Sequence, residues 1–356
     1  MLLKIEGRFA EAIVAADRAV ALAPDHPQIR LNRAIVLLRA GRMAKAWADY
    51  EQRLCLAPRS GLAPERLLPA VDTLGPGAGR TVLVLHEEGF GDTLQFIRYV
   101  PMLAARGFRV LVHVPPELAD LVRSVDGIAA LLPGEAAIPA FDFHCPFFSL
   151  PRAFGTCLAT VPAQIPYVSP RADRVARWQA PLAPLRGLRV GLVWAGQARP
   201  WLAGFTTLDR RRSMRLADLA PLAAVDGVSF VSLQKGTPAA QAAQPPPGLK
   251  LIDPMPDVRD FADTAAIIAG LDAVVSVDTS VVHLAGALGK RVLMLDRYDG
   301  CWRWLAGRTD SPWYPTMRIF RQAQLGDWRP VVAGVVHALH EMAREKNGGA
   351  QQRRQV

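Results

Sequence analysis

The sequence predicts an α/β protein in which two Rossmann-like lobes follow an α-helical repeat segment. Three observations carry this. A short repeat fills the start of the chain, runs of buried-strand character alternate with helical stretches twice over beyond it, and a proline- and glycine-rich stretch separates the two patterns.

The repeat comes first. Gly7-Arg8-Phe9 with Ala12, and then Leu22-Ala23-Pro24, reappear as Gly41-Arg42-Met43 with Ala46, and Leu56-Ala57-Pro58. The spacing is about 34 residues, that of paired helices ending in proline. Residues 1–60 are therefore expected to be tetratricopeptide repeats, in an array that begins late in its first helix. A unit of this kind buries its face only against a neighbour, so the helices either cap the next domain or present a concave surface to a partner.

The stretch from Pro58 to Arg80 marks the boundary. Beyond it, Thr81 to Leu85 reads as a buried strand, followed by a glycine turn, a helix from Thr93 to Arg106 and a second strand from Arg109 to Val114. A helix from Leu118 to Val125 and a strand from Ala129 to Leu132 continue the alternation, which becomes irregular from Pro139 to Pro170. The first lobe is placed at 80–175. A second series starts with the strand Leu188 to Trp194 and adds strands at Val228 to Leu233, Leu249 to Ile252, Ala273 to Val277 and Arg291 to Leu295. Helices are expected at 216–224, 260–270 and 280–288. This lobe is placed at 185–345, with a polar tail at 346–356.

Composition narrows the class. Hydrophobic residues at 51% and charged residues at 21% lie in the globular range. No apolar run reaches the ~18 residues of a membrane span, and the first residues lack a signal-peptide pattern, so a cytoplasmic protein is expected. Four dispersed cysteines without a Cys-x-x-Cys pair fit a reducing compartment. The formal charge of +10 is mostly arginine, only six of the 42 basic residues being lysine. Guanidinium groups suit phosphate, so a nucleotide diphosphate, an anionic membrane surface or nucleic acid would each be served; an arginine-rich proteome explains the balance equally well.

Two segments carry chemistry. Glu88-Gly89-Phe90-Gly91-Asp92-Thr93-Leu94 follows the first strand and opens a helix. Gly89 and Gly91 let the backbone turn and approach a ligand, and a helix start offers N–H groups to an anion. A dinucleotide fingerprint begins the same way, with Glu117 available for a ribose, but Leu94 stands where its third glycine belongs. Asp92 also suits a helix cap. The later segment, Ser276 to Gly289, joins a buried strand to a small-residue helix. Asp278, Thr279 and Ser280 place hydroxyls and N–H groups where a diphosphate would sit, and His283 lies in the first turn. Asp278 would repel phosphate, so orienting Thr279 or holding a sugar hydroxyl suits it better.

Together these segments resemble the lipopolysaccharide heptosyltransferase family. Gly91-Asp92-x-Leu94 follows strand one, and Asp278-Thr279-Ser280-Val281-Val282-His283-Leu284-Ala285-Gly286-Ala287-Leu288-Gly289 follows a late strand. The family's late segment reads Asp-[Ser/Thr]-Gly-x-x-His-x-Ala-x-Ala-x-Gly, and here Ser280 replaces the glycine. The resemblance covers about residues 80 to 345 and implies a glycosyltransferase B-type fold. It further implies inverting transfer from a nucleotide sugar, with Asp92 as the base. Family members carry a basic residue near Arg212, in the run Asp209-Arg210-Arg211-Arg212-Ser213; Lys235, at the end of its strand, is a second cation for the diphosphate. That run also reads as a solvated loop.

No Asp-x-Asp occurs in the chain and no metal-spaced ligand cluster appears, so neither metal nor cofactor is expected. The acceptor is expected to be a protein or a lipid-linked glycan, with peripheral contact at the inner membrane and no nucleic acid. The aromatic loop Trp302-Arg303-Trp304 with Ser311 to Pro315 either lines a sugar pocket or seals the lobe junction. Phe141 to Pro146 takes no role. A silent repeat-bearing scaffold and, on the dinucleotide fingerprint, an oxidoreductase are the competing classes.

Overall fold

The computed structural model of the chain describes residues 2–56, 62–77, 79–197 and 205–352. Its contacts divide into two units: Met1–Gln164 with Asp299–Pro315, and Ile165–Tyr298 with Thr316–Val356.

In the first unit the repeat folds as helices Leu2–Ile5, Phe9–Leu22, Pro27–Arg39, Met43–Tyr50 and Arg53–Leu56. Gly7 and Gly41, one repeat apart, both turn the chain at φ +76, a conformation that a side chain would oppose. Ala57 and Pro58 lie outside the described residues. The second repeat turns Met43, Ala46, Trp47 and Tyr50 inward, all buried. Trp47 donates from Nε1 to the carbonyl of Thr156 at 2.6 Å, and its ring meets Trp302 edge-on at 5.9 Å. The helices thus pack onto the α/β part of the same unit.

That part is a parallel sheet of four strands, β1 (Thr81–Leu85), β2 (Arg109–Val114), β3 (Ile128–Pro133) and β4 (Phe143–Pro146), in the order β3-β2-β1-β4. β4 falls in the stretch expected to be irregular. It is four residues long, ends in proline and contains His144, so it shows no apolar run, yet Val82 to Leu85 pair with it directly. The helix expected from Thr93 to Arg106 is divided: Phe90–Phe96 is α-helical, Ile97–Tyr99 is a 3₁₀ turn, and Val100–Ala105 resumes with Pro101 in its first turn. Proline has no N–H to give the preceding turn, and the break falls there.

The second unit is a six-stranded parallel sheet ordered β10-β9-β8-β5-β6-β7. Its strands are β5 (Leu188–Val193), β6 (Val228–Ser232), β7 (Leu251–Ile252), β8 (Ala273–Val277), β9 (Arg291–Asp296) and β10 (Met317–Arg321). Val190, Leu192, Val275 and Leu295 fill its core, with Val335 and Leu339 from the helix Arg329–Gln352 against them. Neither β10 nor that helix was foreseen, and the helix runs on into the expected polar tail as far as Gln352. The helix Ala172–Leu182 crosses the expected lobe boundary and belongs here: Arg174 and Trp178 both reach Asp263 of the helix Phe261–Ala269. Asp299–Pro315, inside the stretch assigned to the second lobe, belongs to the first unit. No helix among the described residues is long and apolar enough to cross a membrane.

Candidate functional site

In the first unit β1 runs out at Leu85, and His86 extends the ladder by donating its N–H to the carbonyl of His113 at 2.9 Å. Four residues later the chain enters the helix Phe90–Phe96, with Gly89 as its extended N-cap and Gly91 already inside the first turn. Asp92 is the third helical residue, not the cap. Its Oδ2 accepts the N–H of Gly89 at 2.9 Å, closing one side of a capping box.

The other oxygen, Oδ1, accepts from Nη2 of Arg303, while Nε of Arg303 donates to Oε1 of Gln95 at 2.8 Å. The guanidinium lies 4.7 Å from the Trp302 ring and 5.0 Å from that of Phe148. Asp92 is therefore oriented at both oxygens. A carboxylate offers about four lone-pair positions, so two bonds leave room to take a proton from a hydroxyl. Arg303 was not singled out in the sequence; an arginine between two tryptophans is the signal that marks it. The surrounding rings act as core: Trp304, Trp313 and Tyr314 are fully buried, and Arg98 ties the loop by donating to the carbonyl of Trp313 at 2.7 Å.

Two more carboxylates share this loop. Glu87 accepts two bonds from Arg53, Nε to Oε1 at 2.9 Å and Nη2 to Oε2 at 3.1 Å. Glu88 is exposed as a whole residue, yet protein crowds its carboxyl. That crowding, followed by the charges of Asp92 and Glu87, pushes the carboxyl above its ordinary range, against the pull of Arg303 and Arg53.

In the second unit the cluster forms where β8 meets the helix Ser280–Ala287. Thr279 is the N-cap, in extended backbone at φ −138, and its hydroxyl lies 3.3 Å from that of Ser276. Arg212, the last residue of the helix Phe205–Arg212, donates from Nη1 to the carbonyl of Asp278 at 3.2 Å, so the basic run is helical rather than a loop. Nε of Arg212 is steadied by Oδ1 of Asp209 at 3.0 Å. Arg212, Asp278, Thr279 and Ser280 are each half-buried, so this edge keeps cationic, hydroxyl and amide groups within reach of solvent. His283 is buried in the helix's first turn.

Lys235 stands apart. Its Nζ donates to the carbonyls of Met255 at 2.6 Å and Val258 at 2.8 Å, so its charge serves the loop after β7. Three further residues, in the second unit, escaped the sequence reading. Gly196 follows β5, and a Cβ there would meet Oδ1 of Asp209 at 2.3 Å and Nε of Arg212 at 2.4 Å, so only glycine lets that ion pair lie across the backbone. Gln234 fixes the same edge, accepting the N–H groups of Trp194 and Ala195 and donating to the carbonyl of Ala195. Asp296, at the end of β9, is fully buried. Burial pushes its carboxyl up and Asp278 adds to this, while Arg321, bonded to Oδ2 at 2.7 Å, opposes it.

Comparison with known proteins fits this geometry. Residues 3–48 match the tetratricopeptide repeat family model, and residues 258–300, which span β8 and the Thr279 helix, match glycosyltransferase family 9 (heptosyltransferase). The protein FlbA of Caulobacter vibrioides is 28% identical over 366 residues, covering 94% of this chain and 59% of FlbA. The chain thus spans about three fifths of the length of that relative. Among solved structures, E. coli ADP-heptose lps heptosyltransferase II superposes with a TM-score of 0.53 at 13% identity, over 75% of this chain and 99% of that one. A family 9 glycosyl transferase from Veillonella parvula gives 0.54 at 9% identity, over 76% and 99%.

The fold is therefore that of the heptosyltransferase-like, two-lobed glycosyltransferases. Behind the segment that matches the tetratricopeptide repeat, residues 258–300 are similar to part of the glycosyltransferase family 9 (heptosyltransferase) model.

Proposed function

We infer that the protein transfers a sugar from a nucleotide-diphosphate donor to an acceptor hydroxyl with inversion and without a metal. The oxygen of the acceptor attacks the anomeric carbon, the bond from that carbon to the diphosphate oxygen breaks, and the hydroxyl proton passes to Asp92. The nucleotide diphosphate leaves carrying the electron pair. Such base assistance contributes about 10²- to 10⁴-fold.

The observation that carries this reading is Arg212 bonded at the carbonyl of Asp278, at the start of the Thr279 helix. It joins a guanidinium to a helix N-terminus, the combination that steadies departing phosphate charge. Thr279 and Ser280 supply hydroxyls to the same group, and His283 and Asp278 complete the donor set. Lys235 takes part only if its two carbonyls release it. The acceptor is a protein or a lipopolysaccharide-type glycan, and the cytoplasmic face of the membrane is where a basic, peripherally bound enzyme of this kind would meet it.

The test starts with ADP-heptose, the donor named for the E. coli neighbour, alongside other sugar nucleotides, in melting experiments with and without chelator. A ligand at 100 times its Kd raises stability by about 2.7 kcal/mol. Asp92→Asn should then abolish transfer and spare donor binding, whereas Thr279→Ala, His283→Ala and Arg212→Ala should weaken binding. No melting shift with any sugar nucleotide, or a shift lost with chelator, would overturn the reading. Labelled donor in cell extract, fractionated into protein and lipid, identifies the acceptor class.

A further inference from the structure

We propose that Arg53, at the end of the repeat segment, is a positioning residue for the Asp92 loop, which makes the repeats a built part of the acceptor-side site. The inference rests on the reading of Asp92 given above. Its material is a buried network around one guanidinium. Arg53 is 7% exposed and grips both oxygens of Glu87; its Nη1 donates to Oε1 of Glu51 at 2.8 Å and to the carbonyl of Tyr50 at 3.2 Å. Its Nη2 also donates to Oγ of Ser149 at 2.8 Å, and that hydroxyl donates onward to Oε2 of Glu51 at 2.7 Å. The Tyr50 and Phe148 rings lie 5.0 and 5.6 Å from the guanidinium.

All five N–H directions of this guanidinium are thereby spent on fixed partners, two of them, the Glu51 carboxylate and the Tyr50 carbonyl, within the repeat segment. The bidentate grip allows Glu87 one orientation, because a planar fork meets a carboxylate in a fixed plane. Glu87 is two residues before Gly89, and the N–H of Gly89 is the group that holds Oδ2 of Asp92. A rotation of the loop at Glu87 is therefore carried to the proposed base through two peptide links and one hydrogen bond. Plain stability explains this arrangement poorly. Desolvating an arginine and two carboxylates costs about what their attraction returns, and well-packed apolar groups of the same volume would hold the repeat equally well. What an apolar contact cannot supply is a defined direction for the loop.

The experiment uses the full chain with Glu87→Gln, Arg53→Met and the conservative Arg53→Lys. Hydrogen exchange is read at the amides from 89 to 96, with a cooperative melt confirming that each variant is folded. In Glu87→Gln and Arg53→Met those amides should exchange about tenfold faster or more, while those of the second unit's sheet stay as in the wild type. With ADP-heptose as the probe, ADP release should fall about 10- to 100-fold in kcat with donor KM unchanged, and Arg53→Lys should recover part of the loss. Glu87→Gln keeps the side chain's volume and leaves Arg53 paired with Glu51, so it remains informative where Arg53→Met does not fold. Unaltered exchange at 89 to 96 in the folded variants overturns the proposal. So does a loosened loop with undiminished kcat. If the wild type turns over no sugar nucleotide, the functional reading of Asp92 fails, and the exchange data still decide whether Arg53 sets the loop.

Discussion

Arg303 and Asp92, 211 positions apart in sequence, meet as an ion pair inside the first unit, with the two side chains 10% and 18% exposed. The segment Asp299–Pro315 brings the arginine there, after the chain has built most of the second unit. Asp92 thus has its direction fixed from one side by its own helix start and from the other by a distant loop.

This pair predicts a strong energetic coupling. Breaking one partner of a well-buried pair costs about 3 to 5 kcal/mol, and the residual solvent contact here reduces that to about 2 to 4 kcal/mol. Arg303→Met should lower the unfolding free energy by that amount. Because Asp92→Asn removes the charge that Arg303 answers, the double variant should lose less than the sum, with a coupling of about 1 to 3 kcal/mol in a denaturant cycle. Additive losses would mean that the pair contributes nothing.

Glu88 gives a dependence on pH. Its carboxyl titrates above the ordinary glutamate value of 4.5, because surrounding protein and then Asp92 and Glu87 disfavour the charge. The folded protein therefore holds this proton more tightly than the unfolded chain. Its contribution to stability is fully present below 4.5 and is lost as pH rises through the raised folded value. Glu88→Gln should match the wild type in strong acid and become the more stable of the two toward neutral pH. Urea midpoints taken across that range would show a widening gap; a constant gap would contradict the assignment.

How much of this was legible in the sequence follows from what each residue needed. β1, β2, β5, β8 and β9 are mostly apolar, interrupted only singly as by His113, Arg189 and Ser276, and such stretches in a doubly covered parallel sheet announce themselves. The strand-to-helix junction holding Thr279 and Ser280 leaves a local pattern, whereas Arg212 stood out only through the family resemblance and lies at the end of a helix. β4 was missed because His144 and Pro146 break its run, and its burial comes from pairing with β1. Arg303, Gly196 and Gln234 act through partners far away in sequence, so no local window contains both halves of the contact. Lys235 shows the converse. Its place at a strand end suggested a phosphate ligand, and only the fold reveals the two carbonyls that hold it.

Gly196 supplies a mild test of the donor cluster. In Gly196→Ala the new methyl would overlap the ends of Asp209 and Arg212, which can swing away, so the melting temperature should stay near that of the wild type. Arg212 would then leave the carbonyl of Asp278. Losing a charge-assisted bond to phosphate costs about 1.5 to 3 kcal/mol, so ADP affinity should drop about tenfold or more. Calorimetry should also show that Gly196→Ala adds little once Arg212→Ala is present. Unchanged ADP affinity in Gly196→Ala would remove Arg212 from the donor site.

The repeat segment yields the last prediction, which concerns where the chain can be cut. The proline- and glycine-rich stretch divides two sequence patterns, and the repeats nevertheless fold into the same unit as the first sheet. Trp47 is 3% exposed, and its ring is packed edge-on against Tyr50 at 6.1 Å as well as against Trp302. Removing everything before residue 80 would uncover Trp302 and Phe148, leave the carbonyl of Thr156 without its donor, and strip Glu87 of Arg53. Truncating one buried tryptophan costs about 3 to 5 kcal/mol, a large part of the margin of most domains. Trp47→Ala in the full chain should therefore lower the denaturant midpoint, and residues 80–356 alone should aggregate or melt early. If the truncated form melts as the full chain does, and Trp47→Ala costs less than about 1 kcal/mol, the repeats are an appendage and their packing here carries no stability.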